Sequence, residues 1–390
     1  MTNCMKSKSK SISVLIPDGE SSFLQIVVNC LSLVKNIKIF VISSNKSDFM
    51  KYSFFVEEYI FFTDSSDEEW LNRINHEVEK NNIDIIIPIF QNGFKRIIKH
   101  QKLLKNKDKL CVLPALSDFN TANDKGLLYY HMKANSIPCP NSQVVKQNKL
   151  PNFSEIEYPV IVKPVENLGD GRGIQLFQDG EGLKNYYNCS KPAGKTIIQE
   201  FIRGYDIGCN VLCLNGDILT YTIQKGNLFS NKKFSAQIGL DIVEEDLIID
   251  ATRKLMKSIN WSGIANIDLM FDEKDSKFKI LEINPRFWMT TEASALAGIN
   301  FPYLYCLTSL KIEFENPKVK FISFLTLHGL LKKIKNNPLF VFNINYIMNN
   351  TAFRFVLKDP IANFYKLICY RLLKYCKNYF KDSNQNKRVK

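Results

Sequence analysis

The chain has 390 residues, 45% of them hydrophobic and 12% aromatic, which is enough for two or three domains with sizeable cores. No stretch approaches the roughly 20 apolar residues of a spanning helix, and the polar, basic first ten residues with the short run Ile12 to Ile16 do not read as a secretory signal. The 52 basic and 39 acidic residues give a net charge of +13, and residues 318–390 alone hold 15 basic residues against Asp359 and Asp382, leaving the rest of the chain neutral.

A neutral body argues against a nucleic-acid-binding core, whereas the basic tail points to something anionic. Ten cysteines without a CxxC pair and four scattered histidines (His76, His100, His131, His328) argue against zinc and read as thiols of a reducing cytosol. The abundance of Lys, Asn and Ile suggests a bacterial source.

In chain order, Ser11 to Ile16 predicts a buried strand, Ser21 to Val34 an amphipathic helix, and Ile37 to Ser43 a second strand. Ser66 to Glu69 is a capping box opening a helix through Asn81, and Ile83 to Ile89 reads as another buried strand. This alternation predicts a parallel sheet covered by helices. The first turn, Pro17 to Glu20, lacks GxGxxG, so nothing there supports a dinucleotide site. A second region starts near Asp118. Asn123 to Lys125 opens a helix to about Asn135, and Ile137 to Pro140 breaks it. From Val160 to Ile283 the pattern turns to hairpin-linked strands interrupted by one helix, Glu244 to Ile259. A third region, from about Glu315, is mostly helical and basic.

The most informative stretch is Lys279 to Arg286 (KILEINPR), read with Asp268 upstream. Glu282 and Asn284 lie two apart on a strand and share a face. Asp268 lies on the preceding strand, Gly263 to Phe271, across a polar turn, so a hairpin brings the three together. Two carboxylates and an amide oxygen form a hard-oxygen set suited to Mg2+ carrying nucleotide phosphates; the alternative is a solvated polar strand face. Tyr158 to Lys163 is an apolar strand ending in a lysine, and six residues on comes a glycine turn, Gly169, Asp170, Gly171, Arg172, Gly173. Such a turn lets backbone amides approach phosphates, to which the lysine adds a point charge; alone it is also an ordinary surface turn. Thr196 to Glu200 is a strand running into a connector, Phe201 and Ile202, that can face an adenine edge, with Asp206 in reach of ribose hydroxyls.

Lys125, Lys163, the glycine turn, Gln199 to Ile202, Asp206, and Asp268 with Glu282 to Arg286 follow the order of motifs in ATP-grasp enzymes. Over residues 11 to 312 the chain resembles the carboxylate–amine ligases and carbamoyl-phosphate-synthase-like members of that superfamily. The resemblance implies a Rossmann-like pre-ATP-grasp domain (1–117), a two-subdomain ATP-grasp domain (118–314) and a basic helical extension (315–390), so a fold that is α/β and then α+β. It implies that Lys125 and Lys163 hold the ATP phosphates and that Gly169, Gly171, Arg172 and Gly173 form the loop over them. Glu200, Phe201 and Ile202 would bind adenine and Asp206 the ribose. Asp268, Glu282 and Asn284 would bind Mg2+ (two ions, with Mn2+ as substitute), and Arg286 would face the γ-phosphate or acyl phosphate. Asp170 and Arg172 depart from the usual serine-containing loop, and Asp206 replaces a more usual glutamate.

The implied reaction is ATP-dependent amide formation through an acyl phosphate, with Arg286 and Lys163 at the reacting phosphate. Its substrates are a small carboxylate and an amine, of amino-acid type or from a cell-surface glycan. The alternatives are a carbamoyl-phosphate-type enzyme acting on bicarbonate and a silent ATP-binding regulator. Trp288, Thr290, Thr291 and Glu292, and a polar loop with Lys225, Lys232 and Lys233, are candidates to face the acceptor, with a solvated loop as the alternative. Residues Ile361 to Phe380 predict a basic, aromatic-rich amphipathic helix that either lies on an anionic membrane or packs on the body. The expected setting is cytoplasmic, at the membrane's inner face if the tail binds it, without nucleic acid and with homodimers frequent among similar enzymes.

Overall fold

The computed structural model describes residues 11–165, 173–190, 192, 194–230 and 237–369. Strands β1 (Ile12–Ile16), β2 (Ile37–Ser43), β3 (Val56–Phe61) and β4 (Ile85–Ile86) form a parallel sheet in the order β3-β2-β1-β4. Their near-continuous apolar runs follow from burial on both faces. Val14, Ile16 and Val41 pack with Leu24, Val27 and Leu31 of the helix Leu24–Leu31. Leu15, Phe40 and Ile42 pack with Trp70, Leu71 and Ile74 of the helix Asp67–Lys80. Ser66 caps that helix by accepting from the Glu69 amide (3.1 Å), but the Glu69 carboxylate turns to the amide and hydroxyl of Ser65. The strand expected over Ile83 to Ile89 is only two residues long. The reason is Asp18, whose buried carboxylate accepts from the amides of Ile89 (3.0 Å) and Phe90 (2.9 Å) and turns the chain into the helix Gln91–His100. Burial pushes the Asp18 carboxyl up to about 7.

The middle of the chain builds two antiparallel sheets. The smaller contains β5 (Ser142–Val145), β6 (Val160–Pro164), β7 (Gln175–Phe177) and β8 (Thr196–Glu200), in the order β5-β8-β6-β7. The larger contains β9 (Gly204–Leu214), β10 (Asp217–Phe229), β11 (Gln237–Val243), β12 (Gly263–Asp272), β13 (Lys277–Asn284) and β14 (Ser323–Leu325), in the order β13-β12-β9-β10-β11-β14. The helix Asp246–Ser258 covers one face of this sheet, with Ile248, Leu255 and Met256 set against Ile207, Cys209 and Val211. A second short helix, Gly180–Asn185, joins the one expected in this region, its Leu183 filling the core of the smaller sheet. Gly204 holds φ +155, and a Cβ there would lie 1.8 Å from the carbonyl oxygen of Phe271, so only glycine lets β9 start this close to β12.

The extension begins with a strand rather than a helix, since β14 adds to the edge of the larger sheet through β11. Helices Leu327–Asn336, Ile344–Asn350 and Phe353–Lys358 follow, then helical residues 360–369. This last segment docks one face on the N-terminal domain. Asp359 accepts from Ser53 Oγ (2.5 Å) and the Phe54 amide (3.2 Å), and Gln25 joins Asn363 (2.9 Å) and Lys366 (2.6 Å). Tyr365 stacks on Tyr52 with ring centroids 3.9 Å apart. The remainder of the tail expected to be helical, from residue 370 on, lies outside the described residues.

Asp359 is 2% exposed, so its removal orphans the buried Ser53 hydroxyl and the half-buried Phe54 amide. Asp359→Ala is expected to cost about 2–4 kcal/mol of stability by urea unfolding. It should also free residues 360–369 to proteolysis in native buffer.

Candidate functional site

Register places the site. In the β12–β13 hairpin Asp268 pairs with Glu282 and Asn266 with Asn284. On the other side of β12, Asp268 pairs with Gly208, Asn266 with Asn210 and Met270 with Asp206. Cross-strand partners share a face, so Asp206, Asn210, Asn266, Asp268, Glu282 and Asn284 all project from one side of the larger sheet. Gly208 contributes no side chain, and the space that a Cβ would take there borders Gln224 and Asn266.

Two lysines meet this face from elsewhere. Lys125 opens the helix Lys125–Ala134, whose first turn is fixed by Asp124 accepting from the amides of Gly126 and Leu127 (both 2.8 Å). Its Nζ lies 3.1 Å from Glu282 Oε2. Lys163 comes from β6 in the smaller sheet and is 5% exposed.

The four charges set each other's protonation. Burial lowers Lys163 to about 8, a shift that the Lys125 charge reinforces and Glu282 and Asp268 oppose. Burial raises Asp268 to about 7, and repulsion from Glu282 adds to the rise. Burial would also raise Glu282, but Lys125 and Lys163 together hold it below its ordinary value. The lysines thus favour the ionised form of Glu282, whereas burial and the Glu282 charge push Asp268 toward its neutral form. The set of two carboxylates and the Asn284 amide fits a hard divalent ion, because such an ion would relieve the like-charge contact that raises Asp268. Among the described residues no cluster of three or more His, Cys, Asp or Glu side chains provides another metal site.

Asn284 is oriented by a chain of buried amides that the sequence did not reveal. Arg286 Nη2 donates to Asn284 Oδ1 (3.2 Å), and a guanidinium can only donate. Asn284 Nδ2 must then face acceptors, which are Asp268 Oδ2 (2.9 Å) and Asn266 Oδ1 (3.1 Å). Asn266 Nδ2 donates to Asn210 Oδ1 (3.0 Å), and Asn210 Nδ2 donates to Thr222 Oγ1 (3.1 Å) and Gln224 Oε1 (3.3 Å). Thr290 closes the run by donating to Gln224 Oε1 (2.8 Å). Arg286 itself reaches into the N-terminal domain, with Nε donating to Gln91 Oε1 (3.3 Å) and the guanidinium 4.9 Å from the centroid of the Phe23 ring.

The other expected residues lie at the margins of this face. The Glu200 carboxylate accepts from the Asn141 amide (3.2 Å) and sits 3.6 Å from Lys279 Nζ. Its neighbour Gln199, which pairs with Ile161, is the one that shares the face of Lys163, since Lys163 pairs with Ile197. Gln199 is buried and its Oε1 has no partner among the described residues. Phe201 donates its amide to Pro159 O (3.1 Å), Ile202 is buried, and Asp206 is exposed at the start of β9. Gly173 holds φ +79, whereas Gly169, Gly171 and Arg172, like Lys232 and Lys233, lie outside the described residues. Lys225 stacks on Tyr205 (3.8 Å), Trp288 is buried against Phe301, and the buried Glu292 accepts from Asn29 Nδ2 (2.6 Å), so Trp288 and Glu292 serve packing and not open cleft surface.

Residues 122–291 match the family model of the ATP-grasp domain. Solved structures share the fold at low identity. N5-carboxyaminoimidazole synthetase from Staphylococcus aureus, complexed with ADP, is 15% identical over 85% of this chain and 87% of its own, with a TM-score of 0.65. The L-amino acid ligase from Bacillus licheniformis is 16% identical over 77% and 74%, with a TM-score of 0.56. The biotin carboxylase domain of the Hydrogenobacter thermophilus 2-oxoglutarate carboxylase, in complex with MgADP, ADP and bicarbonate, is 16% identical over 80% and 72%, with a TM-score of 0.59.

Two outcomes follow from this geometry. A metal ion and the Asp268 proton compete for one carboxylate, so Mg2+-dependent nucleotide affinity should fall as pH drops below about 7, by up to about tenfold per unit; isothermal titration across pH 5.5 to 8.5 (a range set about that midpoint) checks it. Asn266→Leu should orphan Asn210 Oδ1, cost about 1–3 kcal/mol in urea, and weaken nucleotide binding more with Mg2+ than without. Equal loss with and without Mg2+ would reduce the amide chain to a structural role.

Proposed function

We propose that the chain is an ATP-dependent ligase that joins a small carboxylate to an amine through an acyl phosphate, releasing ADP and phosphate. The observation that carries this reading is the buried meeting of Lys125 and Lys163 with Asp268, Glu282 and Asn284 on the face of an ATP-grasp domain. The ADP complex of one structural neighbour and the amino-acid ligase activity in the name of another support it.

In this reading Lys125 and Lys163 neutralise the phosphates, and the three oxygen donors on β12 and β13 hold Mg2+. The bound ion would polarise the β- and γ-phosphates and spread the charge of the transferring group. Lys163 suits this role, since its burial in the site makes its charge act through little solvent screening. Glu282, 3.1 Å from Lys125, would be drawn toward such an ion and would leave Lys125 to phosphate. Arg286, held by Gln91 and Asn284, is the group this reading assigns to the γ-phosphate and the substrate carboxylate. The carboxylate oxygen attacks the γ-phosphorus as ADP leaves. The amine then attacks the acyl carbon and phosphate departs, so no protein side chain forms a covalent bond. Gln199 on the Lys163 face, with the Phe201–Ile202 connector, takes adenine, and Asp206 takes ribose. A cytoplasmic setting is part of this reading and draws support from the free buried cysteines.

Bicarbonate is the second substrate reading, favoured by the carboxylase domain whose structure contains that ion. One assay separates the two. ADP release from Mg-ATP is measured against pooled carboxylates, pooled amines, both pools, and bicarbonate alone. ADP only with both pools supports the ligase, and ADP with bicarbonate alone supports the second reading. In either case Glu282→Ala should lower turnover at least about 100-fold. No ADP under any condition, despite nucleotide binding, contradicts both.

A further inference from the structure

We propose that the outward face of the C-terminal extension docks on an anionic lipid bilayer and lies in its interface. The docked face of residues 360–369 is accounted for by Ala362, Asn363 and Lys366, which meet the N-terminal domain. The opposite side has no cover among the described residues. Ile361, Phe364 and Ile368 recur at steps of three and four, which makes one stripe along the helical surface of residues 360–369. Phe364 is 62% exposed and its neighbour Leu367 60%. Earlier in the extension, Leu339 (72%), Phe342 (76%) and Ile344 (66%) are also bare. Single exposed apolar residues need no explanation, but a helical stripe joined by a second apolar turn in one short segment does.

Charge selects the occupant. Between residues 318 and 369 the extension carries eight basic residues against one acid, Asp359, and that acid is buried against Ser53. A second copy of this chain docking by the same face would set this charge against itself, since a twofold contact uses the same patch on both partners. Nucleic acid would satisfy the charge but leave the apolar stripe unmatched. An anionic bilayer satisfies both, with Leu, Ile and Phe in the acyl boundary and Lys and Arg at the headgroups. No helix among the described residues is long and apolar enough to cross a membrane, so the contact is peripheral.

The test is co-sedimentation of the full chain with vesicles of phosphatidylcholine alone or mixed with phosphatidylglycerol, at low and high salt. Binding should be at least about tenfold stronger to the anionic vesicles and should weaken with salt. Phe364→Ser/Leu367→Ser should lose at least about tenfold of that binding. Lys333→Glu/Lys335→Glu should lose the preference for anionic vesicles. Both variants alter exposed side chains and should keep the wild-type urea midpoint. Equal binding to the two vesicle types, or binding unchanged in Phe364→Ser/Leu367→Ser, overturns the proposal. So does a vesicle-free dimer in sedimentation velocity that this variant breaks, because the face would then belong to a second copy.

Discussion

Everything in the site depends on holding two ammonium groups and two carboxylates together away from solvent. Burying such a set is costly, and the attraction within it repays the cost only partly. The structure shows where the imbalance falls. Glu282 takes the favourable share through its 3.1 Å contact with Lys125, while Asp268 is driven toward its neutral form and Lys163 toward deprotonation. A cluster left with two groups titrating near neutrality is poorly satisfied by its own members. It is better satisfied by a polyanion with a divalent cation, which pairs the lysines with phosphate and the carboxylates with metal.

The surrounding fold keeps this poorly satisfied arrangement in place. The β12–β13 hairpin fixes the spacing of Asp268 and Glu282. The amide chain through Asn266 and Asn210 fixes the sense of Asn284, and Arg286 ties that chain to Gln91 in the N-terminal domain. The N-terminal domain is thereby tied to this face through the Arg286 guanidinium, and to the C-terminal extension through Asp359 and Gln25. Domain packing and site geometry are one problem in this molecule.

Much of this was legible in the sequence where chemistry and period coincide. Glu282 and Asn284 two apart on an apolar strand, with a polar turn back to Asp268, fix a shared face without knowledge of the fold. Lys163 was legible as a lysine closing an apolar strand, and Asp124 before Lys125 as a helix start. Gln199 was not distinguishable from Glu200, because which of two adjacent strand residues faces the cleft depends on the β6–β8 register. Asn210 and Gln224 were invisible for the same reason, since their partners lie on strands far away in sequence. The strand at Ile83 to Ile89 was overestimated because the tertiary bonds from Asp18 end it early. The alternation that marks the C-terminal helix shows its amphipathic character but not which face meets the body.

The most direct test of the central claim is a Mn2+ titration followed by electron paramagnetic resonance, with a non-hydrolysable ATP analogue, on the wild type, Asp268→Asn and Glu282→Gln. The account predicts nucleotide-dependent Mn2+ binding in the wild type that weakens at least about tenfold in each variant. Mn2+ binding of equal strength in all three proteins would mean that the buried carboxylate pair is not the metal site, and the reading built on it would fail.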